Sequence, residues 1–224
     1  MPGVLHAFVD AGFDAIDTAD SYSTWVPGNQ GGEAETIIGR WLRRDPSRRD
    51  RVHVLTKVGS EMGASNHDAS QLAEALRVAD ANGLPRYATL QPEYNLYDRA
   101  RYEGPLRDLA IREGLGVVPY FGLASGFLTG KYRSRDDLGR SPRGSGVAKY
   151  LDDRGLRILA ALDDVGGRRS AQPAEVALAW LMQREGVTAP IASATSREQL
   201  ASLVHAAELR RTAEDVATLD AASA

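Results

Sequence analysis

Cysteine is absent from all 224 residues, which excludes thiol nucleophiles, disulfides and every Cys-ligated zinc or iron–sulfur centre. An excess of one charge is also missing: 27 Lys and Arg face 30 Asp and Glu, for a net charge of −3. So balanced a chain lacks the basic face that a nucleic-acid binder needs. No stretch approaches the roughly 18–20 uninterrupted apolar residues of a membrane span. The opening Met1–His6 segment has neither the basic region nor the apolar core of a signal peptide. The four histidines, His6, His53, His67 and His205, show no ligand spacing, so no metal site is expected. These absences point to a soluble cytoplasmic protein with neither nucleic acid nor membrane among its partners.

What is present is core material. Hydrophobic residues make up 43% and charged residues 25% of the chain, enough for one α/β domain or two small ones. Short β-branched or aromatic runs predict strands at Ala15–Ala19, Val52–Val58, Tyr87–Glu93, Gly116–Leu123 and Ala189–Ser193. The first four begin at intervals close to the length of a βαβ unit, which favours a (β/α) barrel or a doubly wound parallel sheet. Helices are expected over Gly32–Arg44, Ser70–Asn82 and Ser170–Glu185, the last apolar on most faces and therefore buried. Pro105 and Pro173 suit first helical turns, and Gly114 and Gly186 suit helix ends. The polar stretch Arg133–Gly146 reads as a long surface loop.

Two phosphate-binding signatures fail on inspection. Gly126 to Tyr132 is one residue short of a phosphate loop and has Tyr132 in place of the hydroxyl residue, and no Gly-x-Gly-x-x-Gly follows a strand. Polar residues instead gather just past the predicted strand ends, the edge where barrels and open α/β sheets build their sites. Asp17, Asp20 and Tyr22 follow the first strand, and Lys57 lies at the end of the second. Gln91 and Glu93 follow the third, Tyr120 and Ser125 the fourth, and Ser193 to Arg197 the last. Tyrosine is a poor acid–base catalyst at neutral pH, but a nearby ammonium favours its phenolate and a carboxylate keeps that ammonium charged. Tyr22, Lys57 and Asp17 supply those three groups. Such a set protonates a carbonyl oxygen while hydride reaches the carbon.

The segments Asp14–Tyr22, Leu55–Lys57, Ser65–Asn66, Leu90–Asn95, Tyr120–Tyr132 and Ile191–Leu200 together resemble the motifs of aldo-keto reductases, in the same order. That resemblance implies a TIM-barrel-type (β/α)8 fold that binds NADPH and reduces aldehydes or ketones to alcohols. By motif, Tyr22 is the implied general acid, Lys57 its pKa-lowering partner and Asp17 the carboxylate that orients Lys57. Ser65, Asn66 and Gln91 are implied to hold the nicotinamide carboxamide, and Tyr120 to stack on its ring. Ser125, Leu128 and Lys131 match the segment over the pyrophosphate. Ser193, Thr195, Ser196, Arg197 and Gln199 match the region around the adenine and 2′-phosphate, with Arg197 the cation that selects NADP over NAD.

The chain departs from that family in two places. It begins inside what resembles the first helix, and Thr56–Gly63 joins almost directly to Ala64–His67. In the family, a helix, the fourth strand with the tetrad His, another helix and most of the fifth strand lie between those motifs. His67 does not match the tetrad position. The expectation is therefore a single domain over 1–224, truncated and internally deleted, with about five of eight strands and three of four catalytic residues. An impaired NADPH-dependent carbonyl reductase is the leading reading, and a catalytically silent NADPH- or partner-binding relative is the alternative. A Schiff-base lyase using Lys57 is a third. Five parallel strands cannot close the eight-stranded ring, so the edges beside Ala15–Ala19 and Val52–Val58 invite self-association.

Overall fold

Parallel strand pairing is present in two short pieces, each belonging to its own compact unit. The computed structural model describes residues 2–24, 26–56, 67–140 and 144–224. One unit comprises Met1–Gly63 with Ser193–Leu200, the other Ala64–Ala192 with Ala201–Ala224. Among the described residues the structure is α/β with helices dominant, and no barrel closes. None of these helices is long and apolar enough to cross a membrane.

The first unit contains α1 (Pro2–Asp10), β1 (Ala15–Asp17), α2 (Glu33–Arg43) and β2 (His53–Leu55). β1 and β2 run parallel with Ile16 opposite Val54. The ladder extends where His53 N–H donates to the Asp14 carbonyl and Thr18 N–H to that of Leu55, both at 2.8 Å. Ile38 and Trp41, three residues apart on α2, bury one face against Val9, Ile16 and Val52. The Arg48 guanidinium lies 5.1 Å from the Trp41 ring centroid and donates to the Trp41 carbonyl at 3.0 Å. The buried Trp41 indole N–H has no partner among the described residues.

The second unit is built from α3 (Ala69–Ala81), β3 (Thr89–Leu90), α4 (Pro105–Arg112), β4 (Gly116–Val117), α5 (Gly144–Val147), α6 (Asp153–Arg169), α7 (Pro173–Met182) and α9 (Ala213–Ser223). α8 (Arg197–Glu208) begins in the first unit and ends in the second. Local chemistry sets these ends. Asp68 and Gln71 cap α3 reciprocally at 2.9 and 3.0 Å. Pro173 occupies the first turn of α7, as its fixed φ and missing N–H favour. Ser170, at φ 52°, stops α6, so the helix expected from Ser170 starts three residues later. It is wholly apolar and buried from Val176 to Leu181.

β3 and β4 pair in parallel, and Tyr120 N–H continues the ladder to the Pro92 carbonyl at 3.0 Å. The segment expected as a fifth strand, Ala189–Ser193, is not one. Thr188 N–H bonds the Val117 carbonyl at 2.8 Å and Ile191 N–H that of Pro119 at 2.8 Å. The return bonds fail because Pro119 has no N–H and the Val117 N–H goes to Thr188 Oγ1 instead. The other four strands also end short of their expected lengths, and Val58 lies outside the described residues.

Trp180, fully buried in the large core, anchors the last helix. Its Nε1–H donates to Asp220 at 3.0 Å, while the Arg99 and Arg184 guanidiniums lie 5.2 and 4.9 Å from its ring. Both arginines also bond Asp220 at 3.0 Å. Arg154 donates to the Ser223 carbonyl, completing the attachment of α9. Within the expected loop Arg133–Gly146, Arg135–Arg140 form a 3-10 turn, α5 begins at Gly144, and Arg133 grips Asp163 of α6 in two bonds at 2.7 and 2.8 Å.

Candidate functional site

In the first unit, β1 delivers Asp17 and the turn that follows it delivers Tyr22. The Tyr22 hydroxyl donates to Asp17 Oδ2 at 2.7 Å. Burial first, then this bond and the Asp17 charge, raise the Tyr22 pKa well above the usual tyrosine range. Held protonated in this way, the phenol is a weak acid until a nearby cation offsets the Asp17 charge. Lys57, Ser65 and Asn66 lie outside the described residues.

The Tyr22 turn is held by a residue that sequence reasoning missed. Glu33, at the start of α2, accepts from the Gln30 N–H at 2.7 Å and the Gly31 N–H at 3.0 Å, and its carboxylate also reaches the Ser23 hydroxyl at 3.4 Å. Those donors, Gln30 foremost, hold its carboxyl below the ordinary glutamate pKa. Asn29 adds a bond to the Ser23 carbonyl at 3.0 Å. Gly31 is required: its φ is 104°, and a Cβ would stand 2.9 Å from the Asp20 carbonyl. The readable signal was an acidic residue just after Gly31-Gly32, where a helix N-terminus favours a carboxylate.

The residues from Ser193 to Gln199 form the entry to α8. Gln199 Oε1 accepts from the Thr195 N–H at 2.8 Å and hydroxyl at 3.0 Å, and Ser196 Oγ caps the Gln199 N–H at 3.2 Å. Ser193, Thr195 and Gln199 are exposed, and Ser196 is half-buried. Arg197 is exposed, with its guanidinium beside α1: a Cβ on Gly3 would stand 3.7 Å from Nη2.

In the second unit, Gln91 follows β3 and Tyr120 follows β4, both half-buried. Burial, then the Glu93 charge, raises the Tyr120 pKa. The Tyr120 ring meets Phe121 edge-on with centroids 5.1 Å apart. Ser125 is half-buried at φ 57°, Leu128 is wholly buried in the large core, and Lys131 is exposed. The Lys131 ammonium lies 5.0 Å from the Tyr132 ring centroid and 3.6 Å from where a Cβ on Gly126 would sit.

The structure thus brings Tyr22 to Asp17, Thr195 and Ser196 to Gln199, and Lys131 to the Ser125–Gly126 turn. Within the whole sequence, the profile of the aldo/keto reductase family matches residues 3–63 and 59–224. The chain belongs to the aldo/keto reductase family. Curated proteins resemble parts of the chain as well. Protein tas of Escherichia coli strain K12 is 30% identical over 166 residues, covering 71% of this chain and 46% of that protein. L-glyceraldehyde 3-phosphate reductase of Escherichia coli O157:H7 is 33% identical over 137 residues, 58% of this chain and 40% of that enzyme. An uncharacterized 11.2 kDa protein of Pseudescherichia vulneris is 51% identical over 61 residues, 27% of this chain and 59% of its own. The chain spans about half the length of the curated relatives it matches.

Proposed function

We propose that this aldo/keto reductase chain is an NADP(H)-linked oxidoreductase that reduces aldehydes or ketones, with Tyr22 as general acid and Lys57 and Asp17 as its partners. The observation that carries this reading is the 2.7 Å bond from Tyr22 to Asp17, directly after a parallel strand in a chain matched by the family profile at both ends. A buried, protonated phenol supplies a proton to a carbonyl oxygen, and Lys57 tunes how readily it does so.

The donor set fits a nicotinamide dinucleotide. Ser125, Gly126 and Lys131 combine a backbone turn that lacks a Cβ at Gly126 with an ammonium, chemistry suited to a pyrophosphate, and the Tyr120 ring suits the flat nicotinamide. Ser65, Asn66 and Gln91 are the proposed carboxamide partners, and Leu128 belongs to the pyrophosphate segment. Ser193, Thr195, Ser196, Arg197 and Gln199 are proposed around the adenine and 2′-phosphate. When bound, NADPH supplies the hydride.

The domain is proposed as a partial TIM-type barrel lacking the segment that carries the tetrad His. Support comes from the family profile, which matches in two stretches that meet at 59–63. The same observation favours a second reading, a silent NADPH- or partner-binding relative. Self-association is proposed at the β1–β2 edges, where Leu55 is half exposed; sedimentation that stays monomeric at high concentration excludes it.

The deciding experiment measures NADPH oxidation with a nitrobenzaldehyde beside NADPH and NADH titrations. Slow turnover abolished by Tyr22→Phe, with tighter NADPH than NADH binding lost in Arg197→Ala, supports the reductase. Absence of the His contribution alone is expected to slow the reaction about 100–1,000-fold relative to a complete tetrad. Cofactor binding without turnover supports the silent relative. Turnover indifferent to Tyr22→Phe overturns the assignment of the acid.

A further inference from the structure

Ser23 directly follows the proposed acid and stands at φ 72°, in the left-handed region that a Cβ disfavours. Hydrogen bonds of its own turn hold it there. Its carbonyl accepts the Val26 N–H and the Asn29 side-chain amide, both at 3.0 Å. Its hydroxyl faces two acceptors, the Tyr22 carbonyl and, at 3.4 Å, Glu33 Oε2. The Gly32 N–H bonds the Asp20 carbonyl at 2.7 Å, which brings Glu33 back to that hydroxyl. On the other side, the Tyr22 N–H bonds the Ala19 carbonyl at 3.2 Å. The Tyr22 backbone is therefore tied before and after its Cα, and its side-chain torsions are what remain to bring the phenol to Asp17 at 2.7 Å. Glycine would adopt this left-handed conformation without strain. Serine keeps the penalty and adds a hydroxyl beside the reactive residue, which is the pattern of strain retained for a task.

We propose that Ser23 is a positioning residue for the general acid: its left-handed backbone reverses the chain after Tyr22, and its hydroxyl fixes the Tyr22 carbonyl, so the phenol is aimed before a carbonyl substrate arrives. This rests on the reading of Tyr22 as that acid. Ser23 touches neither substrate nor cofactor and acts through Tyr22. Aim of this kind matters because a small misplacement of a catalytic group costs far more rate than stability. A purely structural role makes the opposite demand, that turnover follow the stability of the turn. Replacing Ser23 with alanine or with glycine separates the two. Both remove the hydroxyl, but alanine keeps the left-handed strain and glycine relieves it.

The test is NADPH oxidation with a nitrobenzaldehyde, beside thermal melts, in the parent, Tyr22→Phe, Ser23→Ala and Ser23→Gly. Ser23→Gly is expected to melt higher than Ser23→Ala. Despite that difference, both are expected to lose about tenfold in kcat, with KM for NADPH and for the aldehyde at the parent values. The pH profile keeps its shape, because Asp17 and Lys57 remain in both variants. If Tyr22→Phe abolishes turnover while both Ser23 variants keep the parent kcat, the role of Ser23 is overturned and the acid stands. Turnover that tracks the melting temperature, with Ser23→Gly as fast as the parent, overturns it in favour of a structural role. A displaced pH profile overturns it in favour of a charge effect on the phenol. A parent without turnover, or one indifferent to Tyr22→Phe, overturns the reading of the acid and this proposal with it.

Discussion

The two units differ in how much structure stands behind their candidate residues. Among the described residues the core around Tyr22 is small, five buried apolar side chains from Val9 to Val52, and its indole N–H has no partner. Around Tyr120 the core is extensive, and the indole of Trp180 is bonded to Asp220 and flanked by two guanidiniums. The acid therefore relies on hydrogen bonds from its own turn, above all those of Glu33, while the proposed cofactor platform relies on packing. Packing resists local opening better than exposed hydrogen bonds do. Protection from exchange should accordingly be lower in β1–β2 than in β3–β4.

The largest effect belongs to Trp180→Ala, expected to cost about 3–5 kcal/mol in the denaturant-unfolding transition of the second unit. A cost below 1 kcal/mol would erase the distinction between the two cores. Next is acid sensitivity. Burial alone would raise the pKa of Asp215, but the Thr212 N–H and the Arg169 and Arg168 guanidiniums outweigh it and hold the group at about 2. The unfolded carboxyl titrates near 3.9, so this stabilisation is complete above about pH 4 and disappears as pH falls through about 2. Asp215→Asn should remove about 2 kcal/mol at neutral pH and flatten the loss between pH 4 and 2, read by melts across that range.

A smaller effect is expected for Glu33→Gln, which keeps the shape but weakens the charge-assisted bonds to Gln30 and Gly31. It should be seen as faster amide exchange at residues 30–31 with the β3–β4 amides unchanged. The smallest effect is Trp41→Phe, where loss of the unpartnered N–H offsets the lost volume. Its melting temperature should stay within a few degrees of the parent, and a large drop would reveal a hidden partner.

The sequence made some of this legible and hid the rest for physical reasons. Gly83 and Pro105 punctuate helices through backbone geometry, so α3 and α4 could be read locally. That Asp17 and Tyr22 gather at one strand end was also legible, although Asp17 was expected to orient Lys57 and the bond it makes to Tyr22 was not foreseen. Ala189–Ser193 misled because β-branched and small residues mimic a strand, whereas Pro119, seventy residues earlier, removes the donor that pairing needs. Ser170 read as a helical residue, and its left-handed conformation became visible only in three dimensions. Glu33 acts partly through Ser23, ten residues earlier, so only the Gly31-Gly32 pair before it hinted at its role.

The Asp220 junction also sets an order of assembly during synthesis. Arg99, Trp180 and Arg184 leave the ribosome before their shared acceptor has been translated. Until α9 emerges, Arg99 has Glu103 but Arg184 and the Trp180 indole N–H lack their acceptor, and Leu219 is missing from the core they border. Helical pairs upstream are free to form as they appear, but the second unit becomes cooperative only when its last helix closes it. A nascent chain arrested before residue 220 should therefore be cut readily by protease, and release of a few more residues should switch it to resistance.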